Sequence, residues 1–125
     1  MMDFPVEITF RNMDRSAVVA DGLRRQAEGL SRYHPRITAC RVTVEALAQR
    51  HRKGKLFNLR IAIAIPGREI VVERTPTKNA AHNDFRLAEH DAFDAARRQL
   101  QDAARRRRVK AARGAKGAKG ESDAL

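Results

Sequence analysis

The sequence predicts an α+β domain in the order β-α-β-β-β-α, a four-stranded mixed sheet with two helices packed on one face. Three observations predict it. Three short stretches alternate apolar and polar residues, two longer ones repeat apolar residues every three or four positions, and a Pro-Gly pair follows the last alternating run.

Val6, Ile8 and Phe10 alternate with Glu7, Thr9 and Arg11, the period of a strand with one buried face. In the polar stretch that follows, Asp14 and Ser16 are candidates to cap the exposed amides of a helix. Val19, Leu23, Ala27 and Leu30 then place one apolar stripe on a helix over 16–33, which Pro35 ends. Gly22 and Gly29 each weaken that helix by about 1 kcal/mol relative to alanine, so it depends on docking against a sheet.

Cys40, Val42 and Val44 alternate with Arg41, Thr43 and Glu45. Phe57, Leu59, Ile61, Ile63 and Ile65 alternate with Asn58, Arg60, Ala62 and Ala64, and these runs are the second and third strands. Residues 49–55 between them form a charged, projecting loop without an apolar anchor. Pro66-Gly67 supplies the fixed and the permissive φ of a type II turn, so the chain reverses into a fourth strand over 69–74. A right-handed crossover makes strands one and two parallel if they are adjacent.

Residues 75–83 read as a connection, after which Phe93, Ala96, Leu100 and Ala104 stripe a second helix ending near Arg108. Glu89 falls on the apolar side of that helix if it begins early, which predicts a start near Glu89 or a frayed first turn. Residues 109–125, with their Gly-Ala-Lys repeats, carry no core pattern and read as a flexible basic tail behind a domain over 1–108.

A chain of 125 residues has room for one compact domain. Its 26 lysines and arginines against 15 acids give a net charge of +11, the balance expected for a polyanion partner, nucleic acid first. Membrane-surface binding ranks lower, since it needs a strongly apolar helix face and aromatic residues make up only 5%. The start of the chain lacks a basic, apolar leader, and its cleanest apolar run, 61–65, is too short to span a bilayer, so a cytoplasmic location is expected.

Cys40 is the single cysteine, which excludes an intrachain disulfide and a multi-cysteine metal site, and its alternation with Val42 and Val44 makes it a small core residue. His34, His51, His82 and His90 lack metal-ligand spacing. Asp91 and Asp94 are followed closely by arginines, which favours charge pairing over acid/base work, and the tail glycines lack the Lys-Ser/Thr ending of a phosphate loop. No catalytic residue, metal, cofactor or small-molecule substrate is therefore expected.

Several stretches resemble the family of ribosome-associated inhibitors and hibernation promoting factors, also described as sigma-54 modulation proteins. The first helix and its exit, Val19, Leu23, Ala27, Leu30, Tyr33 and Arg36-Ile37, are similar to the family's pattern. The most specific likeness is Asp84-Phe85 followed by Ala92-Phe93-Asp94-Ala95-Ala96-Arg97-Arg98-Gln99-Leu100, similar to an Asp-hydrophobic-Tyr-Ala-Ala-Ile segment leading into a helix with Asp and Arg-Gln-Leu. The similarity spans roughly residues 4–108, with three departures. Arg86 stands where tyrosine is common, Glu89 where an apolar residue is common, and Gln26 and Gly29 where lysines are frequent.

The resemblance implies a translation inhibitor that binds ribosomal RNA of the small ribosomal subunit and blocks the channel of messenger and transfer RNA in stress or stationary phase. It further implies a short form without the C-terminal dimerisation domain of longer relatives, monomeric off the ribosome.

The residues expected to contact RNA are Arg24, Arg25 and Arg32 on the first helix, Arg52, Lys53 and Lys55 in the charged loop, Lys78 and Arg86 ahead of the second stripe, and Arg97, Arg98, Arg105 and Arg106 along it. A guanidinium suits phosphate because its donor fork binds two oxygens at once. The plainer reading is a solvated helix face in which Glu28 and Arg32, Asp94 and Arg98, and Asp102 and Arg106 form four-apart pairs worth only a few tenths of a kcal/mol. The run Arg105 to Arg108 with Lys110, Arg113, Lys116 and Lys119 either follows phosphate backbones or solubilises a tail. Competing functions are a general double-stranded nucleic-acid binder and a protein-binding transcription modulator, with an enzyme last for want of a convergent polar site.

Overall fold

The alternating stretches assemble into one sheet. In the computed structural model, which describes residues 4–47, 56–74 and 85–117, β1 (Val6–Arg11) runs parallel to β2 (Ala39–Leu47). β3 (Leu56–Ile65) and β4 (Arg68–Arg74) extend the sheet antiparallel, giving the order β1-β2-β3-β4. Between β1 and β2 stand α1 (Ala17–Gly29) and a 3-10 turn, Leu30–Arg32; α2 (Phe85–Gly117) closes the order. This is the predicted α+β topology. The loop expected at 49–55 and the connection expected at 75–83 lie outside the described residues, as do 118–125.

Ser16 is the cap of α1, its hydroxyl accepting from the Val19 amide at 3.2 Å. The predicted turn is present, with Gly67 at φ 85°, which matches the second central position of a type II turn. Asn12, at φ 58°, ends β1 in the left-handed region that asparagine tolerates better than most residues.

Two expectations for α2 are corrected. The helix begins by Phe85 rather than near Glu89, and it continues to Gly117 rather than ending near Arg108. Over residues 85–110 its last buried residue is Ala104, so apolar periodicity stops there. The helix runs on because alanine, arginine and lysine are strong helix formers that need no apolar partner.

One face of the sheet carries the core. Ile8, Cys40, Val42, Val44, Leu59, Ile61, Ile63, Ile70 and Val72 pack under Leu23, Ala27 and Leu30 on one side and Phe93, Ala96 and Leu100 on the other. α1 covers β1, α2 covers β3 and β4, and the 3-10 turn meets α2. The outer edge of β1 is occupied by arginine side chains. Arg24 donates to the Val6 carbonyl at 2.8 Å and Arg15 to the Ile8 carbonyl at 3.2 Å, satisfying backbone acceptors that an unguarded edge would offer to another strand.

Cys40 sits in this core, and burial pushes its thiol up to about 12. In native protein Cys40 is therefore expected to resist alkylation at neutral pH and to react once denaturant exposes it, which thiol labelling followed by mass spectrometry measures. Leu100→Ala, at a fully buried position, is expected to lower unfolding stability by about 2–5 kcal/mol in urea titrations.

Candidate nucleic-acid interface

Charge is segregated between the two sides of the molecule. On the uncovered sheet face Arg11, Arg41 and Arg60 stand among Glu7, Glu45, Glu69 and Glu73, three cations against four anions. Glu7 pairs with Arg41 at 2.9 Å, while Glu45 and Glu73 accept from Asn12 and Asn58. From Asp94 to Lys110, α2 carries seven cations, Arg97, Arg98, Arg105, Arg106, Arg107, Arg108 and Lys110, against Asp94 and Asp102. The positive excess therefore lies on the helical side.

There the end of α1, the 3-10 turn and α2 enclose a groove of two adjoining hollows, of about 340 and 530 Å³, that share Arg32 and Tyr33. Its far wall is α2, with Arg97 in one hollow and Arg98, Arg105 and Arg108 in the other. Two aspartates hold three of these guanidinium groups and that of Arg106. Asp94 binds Arg97 at 2.5 Å and Arg98 at 3.6 Å; Asp102 binds Arg105 and, at 3.0 Å, Arg106. Arg97 also donates to Gln101 at 3.1 Å, and its guanidinium lies 6.0 Å from the centre of the Tyr33 ring. The hydrogen bond from Arg97 holds the Asp94 carboxyl below the ordinary carboxylate range and raises Arg97 in turn. This fixes arginine forks in place and leaves their remaining donors to a ligand.

The expected RNA contacts distribute unevenly over this geometry. Arg32, Arg97, Arg98 and Arg105 line the groove. Arg25 is exposed on α1, and Arg86 is exposed in the first turn of α2. Arg24 is half-buried with its guanidinium on the β1 edge. Arg106 faces a different hollow, beside His34. Arg52, Lys53, Lys55 and Lys78 lie outside the described residues.

The residue reading did not place Tyr33, Gln101 or Arg108 at the groove. A usable signal was present: Asp-Ala-Ala-Arg-Arg occurs at 94–98 and again at 102–106, one clamp repeated eight residues on. Glu89 and Gln26, two departures from the resembled pattern, turn out to be partners. The Gln26 amide donates to the Glu89 carboxylate across the two helices. Burial pushes Glu89 upward, partly offset by Gln26 and Arg86.

Comparison with known proteins agrees with this architecture. A family model described as sigma 54 modulation protein / S30EA ribosomal protein matches residues 6–108. No curated protein sequence matches the chain. Among solved structures, the N-terminal domain of Protein Y from Thermus thermophilus is similar at 20% identity and a TM-score of 0.60, over 81% of this chain and 98% of that one. A ribosomal subunit interface protein from Coxiella burnetii is similar at 11% identity and a TM-score of 0.52, over 85% of this chain and 99% of that one. At these identities the two structures support the fold.

The two carboxyl groups give opposite pH signatures. A lowered folded-state pKa makes the Asp94 contribution complete above the ordinary aspartate range and lost as pH falls through the folded value, so Asp94→Asn is expected to flatten the acid limb of stability against pH. For Glu89 the folded value is raised, so its favourable share is present in acid and lost as pH rises through that value. Glu89→Gln is expected to stabilise the protein near neutrality, with the gain vanishing toward about pH 4, as thermal melts across pH measure.

Proposed function

The chain belongs to the sigma 54 modulation protein / S30EA ribosomal protein family, and from that membership we propose that it is a ribosome hibernation factor that binds ribosomal RNA of the small subunit. In this reading it occupies the channel of messenger and transfer RNA in the cytoplasm and silences idle ribosomes under stress or in stationary phase. The observation that carries the RNA-binding part is the segregation of charge: seven cations against two anions on α2 from Asp94 to Lys110, and a near-balanced opposite face. Evenly mixed charge would solubilise a protein; an excess confined to one side orients it on a polyanion.

The inhibition is steric. A domain seated on phosphates excludes other RNA from the same path, and no bond is made or broken. Arginines clamped by Asp94 and Asp102 lose less side-chain freedom on binding than free ones, and Tyr33 beside Arg97 offers a ring on which an unstacked base can lie. The solved structure from Coxiella burnetii is described as that of a ribosomal subunit interface protein, which supports the choice of partner.

Arg32→Glu, Arg98→Glu and Arg108→Glu combined reverse three exposed groove positions and leave the core intact. This variant is expected to cosediment with small subunits at least tenfold more weakly and to lower the slope of log affinity against log salt by about 3. Unchanged cosedimentation at moderate salt defeats the reading. Equal competition by duplex RNA would favour a general nucleic-acid binder, and a partner retained after nuclease treatment would favour a protein-binding modulator.

A further inference from the structure

Outside the groove, α2 meets the β3–β4 turn and the residue after Tyr33 to form a separate pocket of about 400 Å³. None of its lining residues lines the groove. Arg68 comes from the start of β4, Arg106, Arg107 and Lys110 from α2, and the imidazole of His34 from the chain between the 3-10 turn and β2. No acidic residue lines it. Arg106 is held by Asp102 at 3.0 Å, while Arg68, Arg107 and Lys110 have no ion-pair partner among the described residues.

His34 is the one buried polar side chain among the described residues, 3% exposed. Its Nδ1 accepts the Arg36 amide at 3.0 Å, which fixes the neutral ring with its proton on Nε2. That Nε2–H has no protein acceptor among the described residues. A buried donor without an acceptor, on a pocket lined by four cations, is a costly arrangement for an empty pocket and a favourable one for an anion.

We propose that this pocket is a second binding site, for a phosphate group, with the His34 Nε2–H and the Arg68, Arg107 and Lys110 side chains as its donors. A phosphate is favoured over a carboxylate because the donors arrive from three separate segments. A tetrahedral group offers oxygens in several directions, whereas a carboxylate accepts in one plane. Arg106, tied to Asp102, contributes charge. The group is carried either by a nucleic-acid backbone or by a free phosphate or phosphomonoester. The site stands apart from the groove and does not require the ribosome reading.

The surroundings of His34 also set the sign of its response. Burial lowers its pKa, and Arg107 on α2 and Arg36 on its own segment lower it further; Arg68, Arg106 and Lys110 line the same pocket. An anion in the pocket opposes those cations and raises the imidazole pKa.

The test uses the full chain and the imidazole resonances of its histidines in NMR, with His34 assigned by comparison with His34→Gln. Inorganic phosphate added at ionic strength held constant with chloride is expected to shift the His34 resonances saturably and to move their titration midpoint upward. Arg68→Ala with Arg107→Ala, two exposed positions outside the core, is expected to weaken phosphate about tenfold. Arg11→Ala with Arg60→Ala, exposed on the uncovered sheet face, is expected to leave it unchanged.

A second arm adds a short single-stranded RNA without terminal phosphates. If it moves the same resonances, the bound group is a backbone phosphate; if inorganic phosphate alone moves them, the ligand is a free phosphate or monoester. His34 resonances unmoved in both arms, or an equal phosphate affinity in the Arg68/Arg107 variant, overturns the proposal. Cosedimentation with small subunits plays no part in the readout, so failure here is distinguishable from failure of the ribosome reading.

Discussion

The structure depends on the way α2 seats on the sheet. A helix that buries Ala92, Phe93, Ala96, Leu100 and Ala103 while holding Arg97, Arg98, Arg105 and Arg106 must approach closely, and alanine lets it do so. With small residues at most contact positions, Phe93 and Leu100 supply the apolar bulk, and the arginine stems rise beside the seam instead of being displaced by it. Larger residues at the alanine positions would lift the helix and open the groove that Arg32 and Tyr33 close from the opposite side.

Helical geometry then divides the cations between two sites. Each residue turns about 100° and rises 1.5 Å, so seven positions return almost to the same face. Arg98 and Arg105 accordingly share the groove. Ala103, Arg106, Arg107 and Lys110 follow the three-four-seven spacing of another face and line the pocket beside His34. The second Asp-Ala-Ala-Arg-Arg clamp is rotated about 80° and displaced about 12 Å from the first, so its two arginines, Arg105 and Arg106, fall on opposite sides of the division.

Architecture was legible in the sequence because it rests on periodicity in three strands and both helices, and on the Pro66-Gly67 turn for β4. The end of α2 was not legible by the same logic. Apolar spacing stops at Ala104, but helix propensity does not, and the two signals separate over residues 105–117. Side-chain partners were least legible of all. Arg24 and Arg25 are adjacent and chemically identical, yet the topology turns one onto the β1 edge and leaves the other exposed. Gln26 and Glu89 looked like two separate departures from a pattern; only the packing of α1 beside α2 shows them to be one interaction. His34 gave no sign because its partners come from segments far apart in the chain.

The stretch of α2 beyond Ala104 brings stability and binding into opposition. The helix continues for about 20 Å past Ala104, and residues 105–110 are all exposed. Four consecutive arginines repel one another along it, with Asp102 as the nearest compensation, bound to Arg105 and Arg106 only. Salt screens that repulsion and also weakens any hold on a polyanion. A phosphate chain laid along the helix removes the repulsion without salt, by replacing like charge with opposite charge. The same run of like charge that opposes helix stability in the isolated protein is therefore the one whose repulsion a bound polyanion would relieve.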